Sequence, residues 1–346
     1  MEILQIGDNH VGQRIDKVLL EEARKALPQE ISAVLSRTML QKALGEKLLR
    51  VNGIPVKLAY KIEPGDRVEV DWEGLRAVLQ KQVEAADVLG NIEPESGRLD
   101  IVAETAEYLV IDKPEGVLVH PTLAVKKGTI ANWVRQYLEE KGEYDIRVER
   151  AGIVHRLDRD VSGVMVIAKT RESQLNLKSQ FESHKVVKIY LASVEPLGGR
   201  ASSQLMKGDE EHGLDEGIAA LIADNEDEGV YKLSGYIGRD SGDRRKMKFN
   251  EAKGQTESAI TKERHAVSSF FALNENAVLI RIHTGRMHQI RASLLYLGYR
   301  IVGDRMYGDA SDRRKMGLRS IYINFTDLAG NPVEYILKDN HIGLEN

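Results

Sequence analysis

The chain has 346 residues, with 53 acidic and 49 basic side chains and a formal net charge of -4 at pH 7. That length predicts about two domains, and the slight negative charge excludes a uniformly basic nucleic-acid coat while leaving room for local cationic patches. Cysteine is absent, which excludes disulfides, thiolate zinc sites and thiol nucleophiles. The opening Met1-Glu2-Ile3-Leu4-Gln5-Ile6 has neither the basic head nor the long apolar run of a signal peptide. No segment reaches the ~20 apolar residues of a membrane span, so a cytoplasmic chain without membrane contact is expected.

Residues 1–71 read as a compact first unit. Ile15, Val18 and Leu19 fall at helical spacing. A second helix is predicted over Leu35–Leu44 with Ser36 as its cap. Asn52-Gly53 and Pro64-Gly65-Asp66 are turn signals between short β-branched runs. Residues 72–98 read as a linker or a peripheral helix; 75–90 carry some helical periodicity until Pro94 and Gly97 break it.

The second unit, 99–346, mixes predicted strands (101–104, 108–112, 164–169, 187–194, 277–283) with predicted helices (129–141, 171–184, 287–297). Thr129 is a candidate N-cap, and Ile290, Leu294 and Leu295 are expected to face inward. The pattern is α+β, with flanking helices around a mixed, largely antiparallel central sheet. Residues 201–230 hold nine acidic side chains and one basic one, Lys207; a solvated insertion lying away from any polyanion is expected. Residues 239–248 have the opposite bias. Arg244, Arg245 and Lys246 stand there with Arg239 and Lys248 against Asp240 and Asp243. Such a loop is either a solvated turn or a clamp on a nucleic-acid backbone.

The densest chemistry lies in Gly152-Ile-Val-His155-Arg156-Leu-Asp158-Arg159-Asp160-Val-Ser162-Gly163. A charged turn precedes the apolar run Val164–Ala168, so Asp158 is predicted at the crest of a loop between two strands. Two arginines and a histidine beside this carboxylate favour its ionised form. An ionised Asp on a rigid turn can serve as nucleophile, base or metal ligand, and a salt-bridged turn is the alternative.

The run His155-Arg-Leu-Asp158-Arg-Asp-x-Ser162-Gly163 closely resembles the signature of the RluA-type RNA pseudouridine synthases. Leu109–Pro121, Lys188-Ile-Tyr190-Leu-Ala and Thr284-Gly-Arg286-Met-His288-Gln-Ile-Arg291 resemble further motifs of that family, in the family's order over residues 99–330. The resemblance implies isomerisation of uridine to pseudouridine in RNA, with large-subunit ribosomal RNA the expected substrate and transfer RNA the other. It implies base flipping and catalytic roles for Asp158 as carboxylate, Tyr190 against the base and Arg291 paired with Asp158. Arg156 enters the space left by the flipped nucleotide, and Arg286 and His288 serve as RNA-backbone or supporting groups. Ala292-Ser293-Leu294 departs from the Val-His-Leu run usual in relatives. No metal cluster or nucleotide fingerprint is visible, so no cofactor is expected, and a monomer is expected.

Arg14-x-Asp16, Ser36-Arg37-x-x-Leu40-Gln-Lys42, Val51-Asn52-Gly53 and Pro64-Gly65-Asp66 resemble the alpha-L (ribosomal S-four-type) RNA-binding module. That implies phosphate contacts from Arg37 and Lys42, with Lys17, Lys47 and Arg50 beside them. Two other function classes compete with this reading. A non-catalytic RNA-binding or ribosome-assembly factor has no need of the Asp158, Tyr190 and Arg291 set. A hydrolase using Asp158 with His155 or His288 finds neither a Gly-x-Ser-x-Gly elbow nor a His-Glu-x-x-His pair.

Overall fold

The structure is a computed structural model, and it describes residues 2–4, 7–32, 35–44, 48–90, 92–198, 205, 212–224, 229–251 and 263–338. The chain divides into two compact units, one of residues 1–91 with 122–124 and one of residues 92–121 with 125–346.

In the first unit, helices α1 (Ile15–Ala26), α2 (Gln29–Ser32) and α3 (Arg37–Ala43) lie in the chain between the first strand and the other three of a four-stranded sheet of order β1-β4-β2-β3. Its strands are β1 (Glu2–Leu4), β2 (Leu49–Val51), β3 (Ile54–Pro55) and β4 (Val68–Val70). Ser36 caps α3 by accepting the Met39 amide proton at 3.2 Å, as its residue type predicts. Asn52 and Gly53 both have positive φ, the requirement of the tight β2–β3 turn. Of the two readings of 72–98, the helix is the one found, over residues 72–90. Trp72–Gly90 is one helix, α4, and Leu75 and Leu79 are fully buried in the core with Ile15, Leu19 and Leu40. The hydrophobic effect, about 1.5–3 kcal/mol for each such side chain, ties this segment to the first unit.

The second unit is built on an eleven-stranded sheet. Its strands are β5 (Asp100–Glu104), β6 (Tyr108–Lys113), β7 (Ser162–Ala168), β8 (Val187–Pro196), β9 (Tyr231–Arg239), β10 (Met247–Asn250), β11 (Arg264–Asn274), β12 (Ala277–Ile282), β13 (Tyr299–Ile301), β14 (Leu318–Thr326) and β15 (Pro332–Ile336). The order is β10-β9-β11-β12-β8-β14-β7-β6-β5, with β13 beside β8 and β15 beside β14. The described pairings are antiparallel except β14 with β7, so the sheet is mixed and the class α+β, as expected.

Helices α5 (Ile130–Glu140), α6 (Arg171–Glu182), α7 (Leu214–Ala223) and α8 (Gln289–Tyr296) cover it. Both faces of the centre are buried. Met165 and Ile167 of β7 join the core containing Ile130 and Val134, while Val164 and Val166 join one with Leu177 and Phe325. Thr129 and Asn132 form a reciprocal capping box on α5.

Two expectations are corrected. Residues 214–223 of the acidic stretch are not a solvated insertion: α7 buries Ile218 and Leu221 against Phe271 and Leu279 of the sheet. Asp209, Glu210, Glu211, Glu226, Asp227 and Glu228 lie outside the described residues. In α8, Ile290 and Leu294 are buried but Leu295 is exposed, because 294 and 295 stand 100° apart on the helix. Among the described residues, no helix is long and apolar enough to cross a membrane.

Candidate active site

Asp158 sits in a loop that is held from three sides. The buried Lys113 ammonium, at the end of β6, donates to the carbonyls of Pro114, Val117 and Arg159 at 2.7, 2.9 and 3.0 Å. Leu157 and Val161 flank Asp158 and are buried in the core. Before them, Ile153 bridges to Ile167 of β7. His155 accepts the Val166 amide proton at 3.0 Å and stacks on Phe181. Burial, helped by the charge of Lys188, pushes His155 down to about 3, so it is a neutral structural group. The segment entering the loop is extended but is not a strand of the sheet.

The charges that meet Asp158 come from elsewhere in the chain. Arg159 pairs with Asp160 at 2.9 Å, and Arg156 is exposed without a hydrogen bond or ion pair among the described residues. Instead, Arg291 of α8 brings Nη1 to 3.7 Å from Asp158 Oδ2, and His288 brings Nε2 to the same distance. Burial lowers the His288 pKa despite the opposing charge of Asp158. His288 is therefore neutral at pH 7, and only Arg291 supplies full positive charge at this contact. The loop arginines and His155, expected beside the carboxylate, do not perform this task.

Arg291 does not pair primarily with Asp158. Its Nε and Nη2 donate to both carboxylate oxygens of Asp304, at 2.7 and 2.6 Å, with both side chains almost fully buried. Asp304 also accepts the amide protons of Met306 and Tyr307. The Tyr307 ring lies 4.7 Å from the Arg291 guanidinium, and its hydroxyl reaches His288 Nδ1 at 3.1 Å. Burial opposes the charge on Arg291, but the bonds it donates to Asp304 raise its pKa. A bidentate pair of this geometry fixes the guanidinium plane and leaves one arm pointing at Asp158.

Tyr190 of β8 stands opposite Ser320 of β14 in the register, and its oxygen is bonded by the Ser320 side chain. Burial, with the nearby charge of Asp158, raises its pKa, so it is a neutral phenol and not a resting base. Asp158, Tyr190, Arg291, His288, Arg156 and Arg286 line one cavity of about 630 Å³. Arg286 is anchored there through Nε to the His265 carbonyl at 2.9 Å. The hairpin 240–246 joins β9 to β10, with Arg244 and Arg245 exposed. Arg245 is paired with Asp243, and Lys246 lies 5.8 Å from the Tyr307 ring. The Met247 amide donates to the Tyr307 hydroxyl, which connects the hairpin to the Arg291 cluster.

In the first unit, Arg37 donates to the fully buried Asp16 at 2.6 Å and Arg14 at 3.0 Å. Its charge is thus partly committed within the protein rather than free for phosphate. The Lys42 side chain and all of Lys47 lie outside the described residues, while Lys17 and Arg50 are exposed.

Sequence reasoning missed Lys113, Asp304, Tyr307 and Ser320. Lys113 was legible in principle as a cation closing an apolar strand before Pro114. Asp304 and Tyr307 carry no periodic or motif signal, because their partner lies on α8. Among the described residues no group of three or more His, Asp or Glu could hold a metal.

Residues 107–296 match the model of a family described as RNA pseudouridylate synthase. A protein of Bacillus subtilis, "Uncharacterized RNA pseudouridine synthase YlyB", is 32% identical over 79% of this chain and 75% of its own length. Two proteins named "Ribosomal large subunit pseudouridine synthase D" are also similar. That of Xylella fastidiosa is 30% identical over 90% of this chain and 76% of its own, and that of Pseudomonas aeruginosa 29% over 86% and 74%. With more than half of its residues matched by the family model and a relative above 30% identity across most of both chains, the chain belongs to the RNA pseudouridylate synthase family, whose members are isomerases.

Proposed function

We propose that the protein isomerises uridine in large-subunit ribosomal RNA and that Asp158 is the carboxylate that does so. One observation carries the reading: Asp158 is held on a clamped loop at the wall of a cavity, facing an arginine that a second carboxylate fixes in place. The reaction breaks the bond between N1 of uracil and C1′ of ribose and forms one between C5 and C1′. A proton leaves C5 and one joins N1, so no external donor or electron acceptor enters the balance.

A preformed negative charge near C1′ stabilises the positive charge that develops as N1 departs. The neutral Tyr190 phenol offers a flat face to the base and a hydroxyl for hydrogen bonding. The base is inaccessible inside a stack, so the nucleotide must be flipped into the cavity, and the exposed, uncommitted Arg156 is suited to occupy the space left behind. Arg286, His288 and the 240–246 hairpin, with Arg244, Arg245 and Lys246, contact the backbone. The first unit, with helices α1 and α3 leading into a small sheet, serves as an alpha-L RNA-binding module. The ribosomal substrate is supported by the two relatives named for the large subunit.

The test is to map pseudouridines in RNA from cells with and without the gene, and then with Asp158→Asn restored. The change keeps the shape and removes the charge. The expected result is a ribosomal site that loses pseudouridine in the deletion and stays unmodified with the variant, while the purified variant still binds the RNA. Modification by a clean Asp158→Asn preparation would sink the assignment.

A further inference from the structure

The cavity holds a cation that the reaction at Asp158 does not use. Lys188 lies two residues before Tyr190 on β8, so both side chains leave the same face of the strand. Its ammonium is half-buried in the cavity wall, 5.6 Å from the Phe181 ring centroid. On another side stands Gly285, where an added methyl carbon would come only to 3.9 Å from Nζ.

Among the described residues, Lys188 makes no hydrogen bond and no ion pair. The groups around it do not neutralise it. His155 and His283 are both lowered, mainly by burial and in part by the charge of Lys188 itself, so both are uncharged at pH 7. Asp158 meets His288 and Arg291, and among the described residues neither it nor the exposed Glu182 at the cavity rim is within ion-pair distance of Lys188. Burial alone lowers the Lys188 pKa, to about 8.

A partly desolvated ammonium with only an aromatic ring beside it and no anionic partner is costly to keep, whereas an incoming anion removes that cost. Arg286, which follows Gly285 in the chain, is another cation lining this cavity. Its Nε is committed to the His265 carbonyl, and its terminal nitrogens have no partner among the described residues. An apolar ring, a glycine that leaves room and two cations form a concave anion site.

We propose that Lys188 and Arg286 form a phosphodiester-binding subsite in the wall of the cavity, holding the backbone of the nucleotide whose base enters beside Asp158. This deepens the reading of the cavity as the uridine site and rests on it. The flipped nucleotide carries its phosphates with it, and a single contact there sets how deeply the base is drawn in. Lys188 is thus a substrate-positioning group, separate from the Asp158 and Arg291 pair.

The experiment uses the full chain, an RNA transcript that it modifies, and the variants Lys188→Gln and Lys188→Arg. Lys188→Gln is expected to lower kcat/KM about tenfold, the effect of one lost charge-assisted contact, with the loss carried by KM. The slope of log affinity against log salt should become shallower by ~0.7, one phosphate contact on a single strand. Lys188→Arg keeps the charge and should restore both. A folded Lys188→Gln with unchanged KM and salt slope overturns the subsite, and so does a loss confined to kcat.

A second measurement does not depend on turnover. A uridine dinucleotide with a natural phosphodiester should bind the wild type more tightly than its neutral methylphosphonate analogue, and Lys188→Gln should abolish that difference. Equal binding of the two dinucleotides by the wild type overturns the subsite even where the enzyme is active. A wild type that modifies no RNA uridine but still prefers the charged dinucleotide in a Lys188-dependent way instead defeats the proposed function and leaves the anion subsite standing.

Discussion

Replacing Asp304 by Asn removes the charge that holds Arg291. The asparagine oxygen can still accept from Arg291 Nη2 and from the Met306 and Tyr307 amides, which share Oδ1 in the wild type. The new amide nitrogen then faces Arg291 Nε at the 2.7 Å position of the former acceptor, where two donors meet. Removing one partner of a buried ion pair costs about 3–5 kcal/mol; with one acceptor kept, the low end, about 3 kcal/mol, is expected. For a unit of this size that corresponds to a Tm drop of about 6–12 °C.

The consequence for activity follows from the 3.7 Å gap between Arg291 Nη1 and Asp158. That gap exceeds hydrogen-bond range, so the wild-type carboxylate is oriented but not captured. Without Asp304, Arg291 moves onto Asp158 and blocks it, and kcat should fall about 10²–10³-fold, as when a preorganised donor is lost. Thermal unfolding reads the first effect, and tritium release from 5-tritiated uridine in the transcript reads the second. A variant within 2 °C of wild type (~2 °C being under 1 kcal/mol) with unaltered kcat refutes the account; a lowered Tm with intact kcat refutes its catalytic half.

In the first unit, burial of Asp16 is outweighed by bonds from Arg14, Arg37 and Gln41, which pull it down to about 2 from 3.8. A depressed carboxylate stabilises the fold above its unfolded pKa, and that contribution disappears as pH falls from about 3.8 to about 2. Asp16→Asn should lower stability at pH 7 and flatten this acid limb, followed by Trp72 fluorescence with Trp133 replaced by Phe; parallel curves for variant and parent would refute it. Gly163 has φ 120°, and an added Cβ would stand 2.1 Å from the Ser320 carbonyl oxygen. Gly163→Ala should therefore cost about 3 kcal/mol or more and disturb the Ser320–Tyr190 pairing, measurable as a large Tm loss; a variant melting with the wild type would show that the β7–β14 junction yields. Deleting residues 1–91 should leave the second unit folded and bind RNA with a salt slope shallower by ~0.7–0.9 per phosphate contact removed. The cut belongs after α4, since ending at 71 leaves Leu75 and Leu79 without their core; identical salt dependence of truncated and full-length proteins would exclude the first unit from substrate binding.

The α+β class was legible in the sequence, and so were three residues, Asp158, Tyr190 and Arg291, that the fold brings to one cavity. Local signals sufficed for the caps at Ser36 and Thr129, the Asn52-Gly53 turn and the apolar run of β7, because each is a matter of neighbours in the chain. The motif run around Asp158, with Tyr190 and Arg291, was legible for the same reason: its members recur in a set order. What surrounds them was not. Folding brings Asp304 to Arg291, Lys113 to three carbonyls of the Asp158 loop and its surroundings, and Arg37 to Asp16. It also joins α4 to the first unit and packs α7 on the sheet. Each of these depends on desolvating charges or apolar surface against partners distant in the chain. Charge next to charge in sequence, as in Arg156-Leu-Asp158-Arg159, did not foretell which ions meet, because a loop turns neighbouring side chains apart and burial selects the pair that remains.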